Sequence, residues 1–354
     1  MQQSKKKIVN NKGQTVEAFA PVIVSASRST DIPAFYSDWF FKRLEMGYSV
    51  WTNPFNGVKN YVSFQNVRFI VFWSKNPKPL LPHLDKLKSK GIGSYIQFTL
   101  NDYEKEGFEP RVPKLNERIE TFKLLVDSLG LGRVIWRFDP LILTDTIDIH
   151  RLIEKIERIG DQLQGFTEKL VFSFVDISEY RKVKANFEKN HIPIHKWTES
   201  EMLEFSQQLF SLNAKWGYKL ATCGEKVDLK PFGINHNKCI DDELITRLAY
   251  TDNKLMNFLK VKIHPIPTPD IFGERQPLPE GAIILPNGTY AICGASHDSG
   301  QRRFCGCVSS KDIGEYNTCS HLCMYCYANT SKEAAIRNYN RHCSNPESET
   351  ITGI

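Results

Sequence analysis

Cys319-Ser-His-Leu-Cys323-Met-Tyr-Cys326 sets three thiols at CxxxCxxC spacing. Three thiolates on one short loop can hold three irons of a cubane [4Fe–4S] cluster, which leaves the fourth iron without a protein ligand. A cluster that only carries electrons is normally closed by a fourth cysteine. An open iron is a place where a small molecule can bind, so the spacing points towards chemistry.

This spacing, with aromatic Tyr325 directly before the last cysteine, resembles the signature of the radical S-adenosylmethionine (radical SAM) superfamily. That motif usually follows the first strand of a barrel, whereas here it lies near the end of the sequence. A narrower resemblance is to a bacterial family of unassigned function that carries radical-SAM-like cysteines at its C-terminus. It rests on Ser25-Ala-Ser-Arg-Ser-Thr-Asp31-Ile-Pro33, Phe72-Trp-Ser-Lys75-Asn-Pro77, Trp136-Arg137-Phe-Asp139-Pro140 and Cys305-Gly-Cys307, which together cover most of the chain. The superfamily resemblance implies that the methionyl amine and carboxylate of SAM chelate the free iron. It also implies that one electron, from a flavodoxin- or ferredoxin-like donor, cleaves a carbon–sulfur bond to give a 5′-deoxyadenosyl radical that takes hydrogen from a substrate. The narrower resemblance implies no activity.

The elements that must position such a loop follow from periodicity. From residue 20 to about residue 225, short β-rich runs alternate with longer helical patterns, as in a parallel sheet built of βαβ units. The expected strands are Val22-Ile-Val-Ser25, Ser49-Val-Trp51, Phe69-Ile-Val-Phe72, Tyr95-Ile-Gln-Phe98, Arg133-Val-Ile-Trp136, Leu170-Val-Phe-Ser173 and Lys219-Leu-Ala221. Most are continuous apolar runs, as buried parallel strands should be. Asp31 and Pro33 open a helix that Gly47 ends, and a second runs from Leu115 to Gly130. Further helical stretches run from about Ile147 to Leu163, Glu179 to Asn190 and Glu199 to Lys215. Seven such units predict an α/β fold with a TIM-like parallel barrel, complete or partial, over 20–225. A connecting segment over 226–300 contains proline-rich residues 263–281 and a hairpin turning at Asn287-Gly288. A cysteine-rich cluster-binding segment over 301–345 is expected to fold back over the barrel mouth and set its cysteines near the first strand's C-terminal end.

In a parallel barrel the active site forms at the C-terminal ends of the strands. That rule selects Arg28 and Asp31, Thr52 and Asn53, Lys75 and Asn76, Thr99 and Asn101, Arg137 and Asp139, Asp176, and Cys223 and Glu225. As ordinary structural residues, several of these would cap helices or pair with one another, Arg137 with Asp139 among them. If the radical SAM resemblance holds, Arg28, Lys75 and Arg137 would meet carboxylates or phosphates, while Asp139 or Asp176 would bond a ribose hydroxyl and Glu225 would join the cofactor site. Cys223, by the same resemblance and by the spare Cys305-x-Cys307 pair, joins Cys239, Cys305 and Cys307. These four could close a second, fully ligated [4Fe–4S] cluster or a zinc site. Free cysteine is also a common core residue. Alternatively, Cys305, Cys307, Cys323 and Cys326 could form a zinc knuckle with His321 or His342 in reserve, which would leave Cys319 unexplained. His321 is expected to face solvent or to sit behind the cluster. Cys293 and Cys343 have no evident partners.

Composition narrows the classes. The chain has 354 residues and is 41% hydrophobic, enough for a large core. No apolar run is long enough to span a bilayer, and no apolar stretch follows Met1-Gln-Gln-Ser-Lys-Lys-Lys as in a signal peptide, so a cytoplasmic protein with no membrane partner is expected. In a reducing cytosol, nine cysteines read as metal ligands more readily than as disulfides. A net charge of +6, spread through helices without a basic stripe, counts against a nucleic-acid partner. A repair lyase resembling spore photoproduct lyase and a non-catalytic iron–sulfur, zinc or electron-transfer scaffold stand as alternatives.

Overall fold

Runs of Val, Ile and Phe flanked by turn residues form extended strands because their branched and aromatic side chains pack well on a pleated surface. Six of the expected runs do so in one sheet: β1 (Ile23–Ala26), β2 (Phe69–Ser74), β3 (Gly93–Thr99), β4 (Val134–Leu141), β5 (Lys169–Phe174) and β6 (Lys219–Thr222). Two short strands complete it, β7 (Ile234–His236) and β8 (Lys311–Asp312). The sheet has eight strands in the order β8-β1-β2-β3-β4-β5-β6-β7, and every pairing is parallel. Among the described residues no ladder joins β7 to β8, so the sheet is not closed by hydrogen bonds. This computed structural model describes residues 4–53, 56–179, 181–269, 276–294, 297–298, 300–301 and 304–354.

The strand expected at Ser49–Trp51 exists as Tyr48–Thr52 but is not part of the parallel sheet. It pairs antiparallel with Lys59–Ser63 in a separate four-stranded sheet that includes Lys5–Val9 and Thr15–Phe19. The connection from Thr52 to Lys59 is too short for a crossover, and only a hairpin can join strands that close.

Strands β1 to β6 bury both faces. On one, Phe72, Phe98, Trp136, Phe138 and Phe172 pack with apolar residues of α3 (Leu115–Leu129), α4 (Ile149–Leu163) and α6 (Glu199–Asn213). On the other, Phe69, Val71, Tyr95, Ile135 and Val171 pack with Leu244 and Ile245 of α7 (Asp242–Ala249) and Leu255 of α8 (Asn253–Phe258). The two-residue period therefore sends Trp136 and Phe138 to one layer and Ile135 to the other, with Arg137 and Asp139 following Ile135.

The helix expected from Asp31 to Gly47 is broken at Tyr36 into α1 (Ile32–Phe35), capped by the Asp31 carboxylate, and α2 (Ser37–Met46), ended by Gly47 at φ 86°. Gly130 ends α3, and α5 (Arg181–Lys189) lies within the stretch expected at 179–190. The hairpin at Asn287-Gly288 is present, with Ile283–Ile284 paired to Thr289–Ile292 and Gly288 at φ 75°. Of the segments assigned from sequence, residues 270–275 of the proline-rich stretch, 295–296 and 299 of the connecting segment, and 302–303 of the cysteine-rich segment lie outside the described residues, as do Met1 to Gln3 and Tyr180.

Candidate metal centre and its surroundings

The residues after β8 run across the carboxyl ends of β1 to β4. Asp312 holds the chain leaving β1: one carboxylate oxygen accepts from Ser27 Oγ (2.7 Å) and Gly314 N, and the other from Ser25 Oγ (2.7 Å) and Arg28 N (2.9 Å). Further along, Trp51 Nε1 donates to Gly314 O, Thr52 N to Glu315 Oε1 and Tyr36 Oη to Thr318 O.

The cysteine loop follows, fixed by the two non-cysteine side chains inside its motif. His321 is buried, with Nε2 2.8 Å from Asp31 Oδ2, and its ring meets Phe35 edge-on. Asp31 also accepts from Ala34 N, Ser74 Oγ and Lys75 N, so one carboxylate ties the start of α1, the end of β2 and the loop together. Tyr325 Oη contacts Lys75 Nζ (2.7 Å), Asn101 Nδ2 (3.0 Å) and Glu109 Oε1. Backbone bonds add to this, Met324 N donating to Phe108 O and Asn186 Nδ2 to Met324 O.

This network controls charge next to the thiols. Burial alone would raise the Glu109 carboxyl, but the Lys75 ammonium and the Arg118 guanidinium outweigh it and hold the pKa down to about 2. Burial likewise disfavours the Lys75 ammonium, and the Glu109 carboxylate more than restores it. Cys319 is pushed up by burial and then by Cys326, Asp31 and Cys323, so the three thiols of the motif lie within electrostatic reach of one another. Cys323 is also raised by burial, with Lys75 pulling the other way. Ser320 Oγ, Thr30 Oγ1 and Glu109 Oε2 are buried around this loop without a hydrogen-bond partner.

The second set of thiols meets on the α7 side of the sheet. Cys223 directly follows β6, and its Sγ lies 3.1 Å from that of Cys239, which follows β7. Cys307 Sγ accepts from Cys239 N (3.1 Å) and Ile240 N (3.3 Å). Cys305 is held down to about 7, first by its hydrogen bond to Cys307. Arg137 spans Cys239 Sγ (3.4 Å), Cys223 Sγ (3.6 Å) and Asp139 (2.5 Å). The four cysteines named from sequence thus converge, and Cys305 and Cys307 turn to Cys223 and Cys239 instead of to the tail loop. His342 stacks edge-on against Tyr36, Cys293 touches Thr246, and Cys343 neighbours Tyr339. Among the described residues, no three His, Cys, Asp or Glu side chains are spaced to hold a metal ion as they stand.

The other expected site residues divide. Arg28, Lys75, Arg137 and Asp139 line the region between the two thiol groups, where Arg28 donates to Gln301 and lies over the Trp73 ring. Glu225 accepts from Phe174 N at the end of β5. Asp176 instead closes its own turn, accepting from Ser178 N and Glu179 N, because a short side chain after a strand readily satisfies the next backbone amides. Thr52 belongs to the antiparallel sheet, and His321 faces Asp31 and not solvent. Sequence reasoning misses Glu109, whose loop has no periodic pattern, Asn237, which only the fold brings to the sulfurs, and Gln97, whose Nε2 donates to Cys239 O and whose Oε1 accepts from Arg137. A cleft of about 540 Å³ lined by Lys105, Arg151, Lys155 and Arg158 contains none of the cysteines.

An open-ordered parallel α/β sheet with a cysteine loop across its carboxyl edge defines the class. The chain belongs to the family described as a domain of unknown function, DUF1848, whose model matches residues 23–328. That match takes in the four sequence stretches that line the site and the complete CxxxCxxC motif. No curated protein matches the chain.

Proposed function

We propose that this protein is a radical SAM enzyme whose open [4Fe–4S] cluster is held by Cys319, Cys323 and Cys326. The observation that carries this reading is the seating of the motif: His321 on Asp31 and Tyr325 on Lys75 hold three thiols, Cys323 buried and Cys319 and Cys326 half-buried, at the carboxyl edge of a parallel sheet. The donor set fits the group, since it offers three thiols and no fourth cysteine in the loop, and buried polar atoms beside it have hydrogen-bonding capacity to spare. We read the sheet as an incomplete TIM-like barrel, because its strand order does not reverse as a doubly wound sheet's does.

When bound, the cluster and SAM would supply a 5′-deoxyadenosyl radical upon one-electron reduction, in a reducing cytosol and from a flavodoxin- or ferredoxin-like donor. The chain's own residues bind, orient and exclude water. Of Arg28, Lys75 and Arg137, Arg28 is the one whose guanidinium keeps a buried nitrogen, Nη2, without a hydrogen-bond partner, which leaves it a donor for a carboxylate or phosphate. Lys75, Arg137 and Asp139 already have partners, so their role is to keep the loop and the sheet edge rigid.

The test is anaerobic reconstitution with iron and sulfide, followed by electron paramagnetic resonance with and without SAM, on wild type and Cys323→Ala. We expect about four irons in the tail site, a signal that changes on adding SAM, and release of 5′-deoxyadenosine under reduction, all lost in the variant. A cluster signal indifferent to SAM, with no 5′-deoxyadenosine, would move the protein to the electron-transfer or scaffold class.

A further inference from the structure

We propose that Cys223, Cys239, Cys305 and Cys307 form a second metal centre, a closed four-thiolate site occupied by a single zinc ion. The proposal is independent of the tail cluster.

The sulfurs are surrounded by donors in a way that neutral thiols do not require. A free buried cysteine behaves as a small hydrophobe and a weak acceptor. Here three of the four sulfurs receive N–H groups. Arg137 Nη1 and Nη2 reach Cys239 and Cys223, Asn237 Nδ2 reaches Cys223 (3.5 Å) and Cys239 (3.3 Å), and two consecutive backbone amides reach Cys307. Asn237 is buried, and its Oδ1 has no partner, so its amide is committed to the sulfurs at the cost of its carbonyl. N–H donors of this kind support thiolates that bind metal, and the Arg137 charge offsets part of the negative charge that four thiolates would bring into the interior.

Spacing selects the occupant. A tetrahedral zinc with Zn–S bonds of about 2.3 Å sets its sulfurs roughly 3.8 Å apart. Cys223 and Cys239 stand at 3.1 Å, so this pair has to open by roughly 0.7 Å to take the ion, and Cys305 and Cys307 close on it from the other side. A four-iron cubane would have to drive the sulfurs much further apart against Arg137, Asn237 and the backbone of β6 and β7. Structural zinc sites are closed by four protein ligands, and this set has four. The ion would staple residues 305–308, where Val308 N already bonds Ile240 O, to the ends of β6 and β7 just before the chain enters β8 and the cysteine loop.

Metal analysis of protein made with both iron and zinc supplied, on wild type, Cys223→Ser, Cys307→Ser and Cys323→Ala, tests this. We expect about one zinc per chain in wild type and Cys323→Ala, and its loss in the other two with the tail iron retained. If those variants fold poorly, zinc-edge X-ray absorption on the wild type decides, with four sulfur neighbours at about 2.3 Å expected. Wild type without zinc, zinc retained in both quartet variants, or loss of iron in place of zinc would each overturn the proposal. Failure of the SAM response leaves these readouts untouched.

Discussion

The Tyr325 hydroxyl lies 2.7 Å from the Lys75 ammonium, so the residue before the last cysteine of the motif is tied to the residue that follows β2. Lys75 in turn bonds Glu109 at 2.9 Å, and Asn101 reaches both Glu109 and Tyr325. A loop after β2, one after β3 and the cysteine motif therefore share one buried polar network.

Tyr325→Phe keeps the ring and removes the hydroxyl from that network. Leaving buried donors and acceptors one partner short costs about 1–3 kcal/mol. Urea unfolding is expected to show a midpoint lowered accordingly with an unchanged slope. An unaltered midpoint would mean that packing alone seats the ring.

Asp31 and His321 are expected to be coupled. Asp31 caps α1 and accepts from four groups, so Asp31→Ala should be the more damaging single change, at about 3 kcal/mol or more. A double-mutant cycle with His321→Ala should give an interaction of at least about 1 kcal/mol. Strict additivity would show that the 2.8 Å contact adds nothing to docking of the loop.

Gly314 sits tightly against the turn that follows β1. A methyl group there would come within 1.9 Å of Ser27 Oγ and 2.8 Å of Ser29 Oγ. Overpacking of this kind costs about 1–3 kcal/mol. Gly314→Ala should lower Tm and speed loss of iron from the reconstituted tail site, measured by the decay of its visible absorbance. Wild-type stability would show that the Ser27 turn yields without cost.

Lys311 of β8 is pushed down to about 8 by burial, with Asp312 pulling the other way, and its ammonium faces the Trp51 ring at 3.2 Å. Its folded pKa lies below the ordinary value of 10.5, so between about pH 8 and 10.5 the unfolded chain binds more protons and stability rises with pH. The full penalty, on the order of 2–3 kcal/mol after allowance for the ring contact, applies below pH 8. Lys311→Met should raise Tm at pH 7 and flatten the rise between pH 8 and 10.5. A rise that survives in the variant would assign it to another group.

Much of the scaffold was legible in the sequence, because its signals are local. The runs at Phe69–Phe72 and Leu170–Ser173 are apolar on both faces, which suits a strand buried between two helical layers. Asp31 before Pro33, Gly130 after Leu129 and Asn287-Gly288 mark ends and turns through the backbone conformations of those residues. The CxxxCxxC spacing needs no fold to be recognised. Strand partners were not legible in the same way. Ser49–Trp51 reads as well for a parallel strand as for the antiparallel one it forms, and β7 and β8 are short and polar because they lie at the sheet's edges.

By itself the sequence determined which segments extend, which coil and which thiols lie in one loop, since each depends on neighbours a few residues away. The tertiary structure alone decided that Asp312 and Asp31 together hold the turn after β1, that Glu109 joins Lys75, and that Arg137 and Asn237 face Cys223 and Cys239. Those pairings connect residues far apart in the chain, and their selection depends on the summed packing of the whole sheet, which no local pattern records.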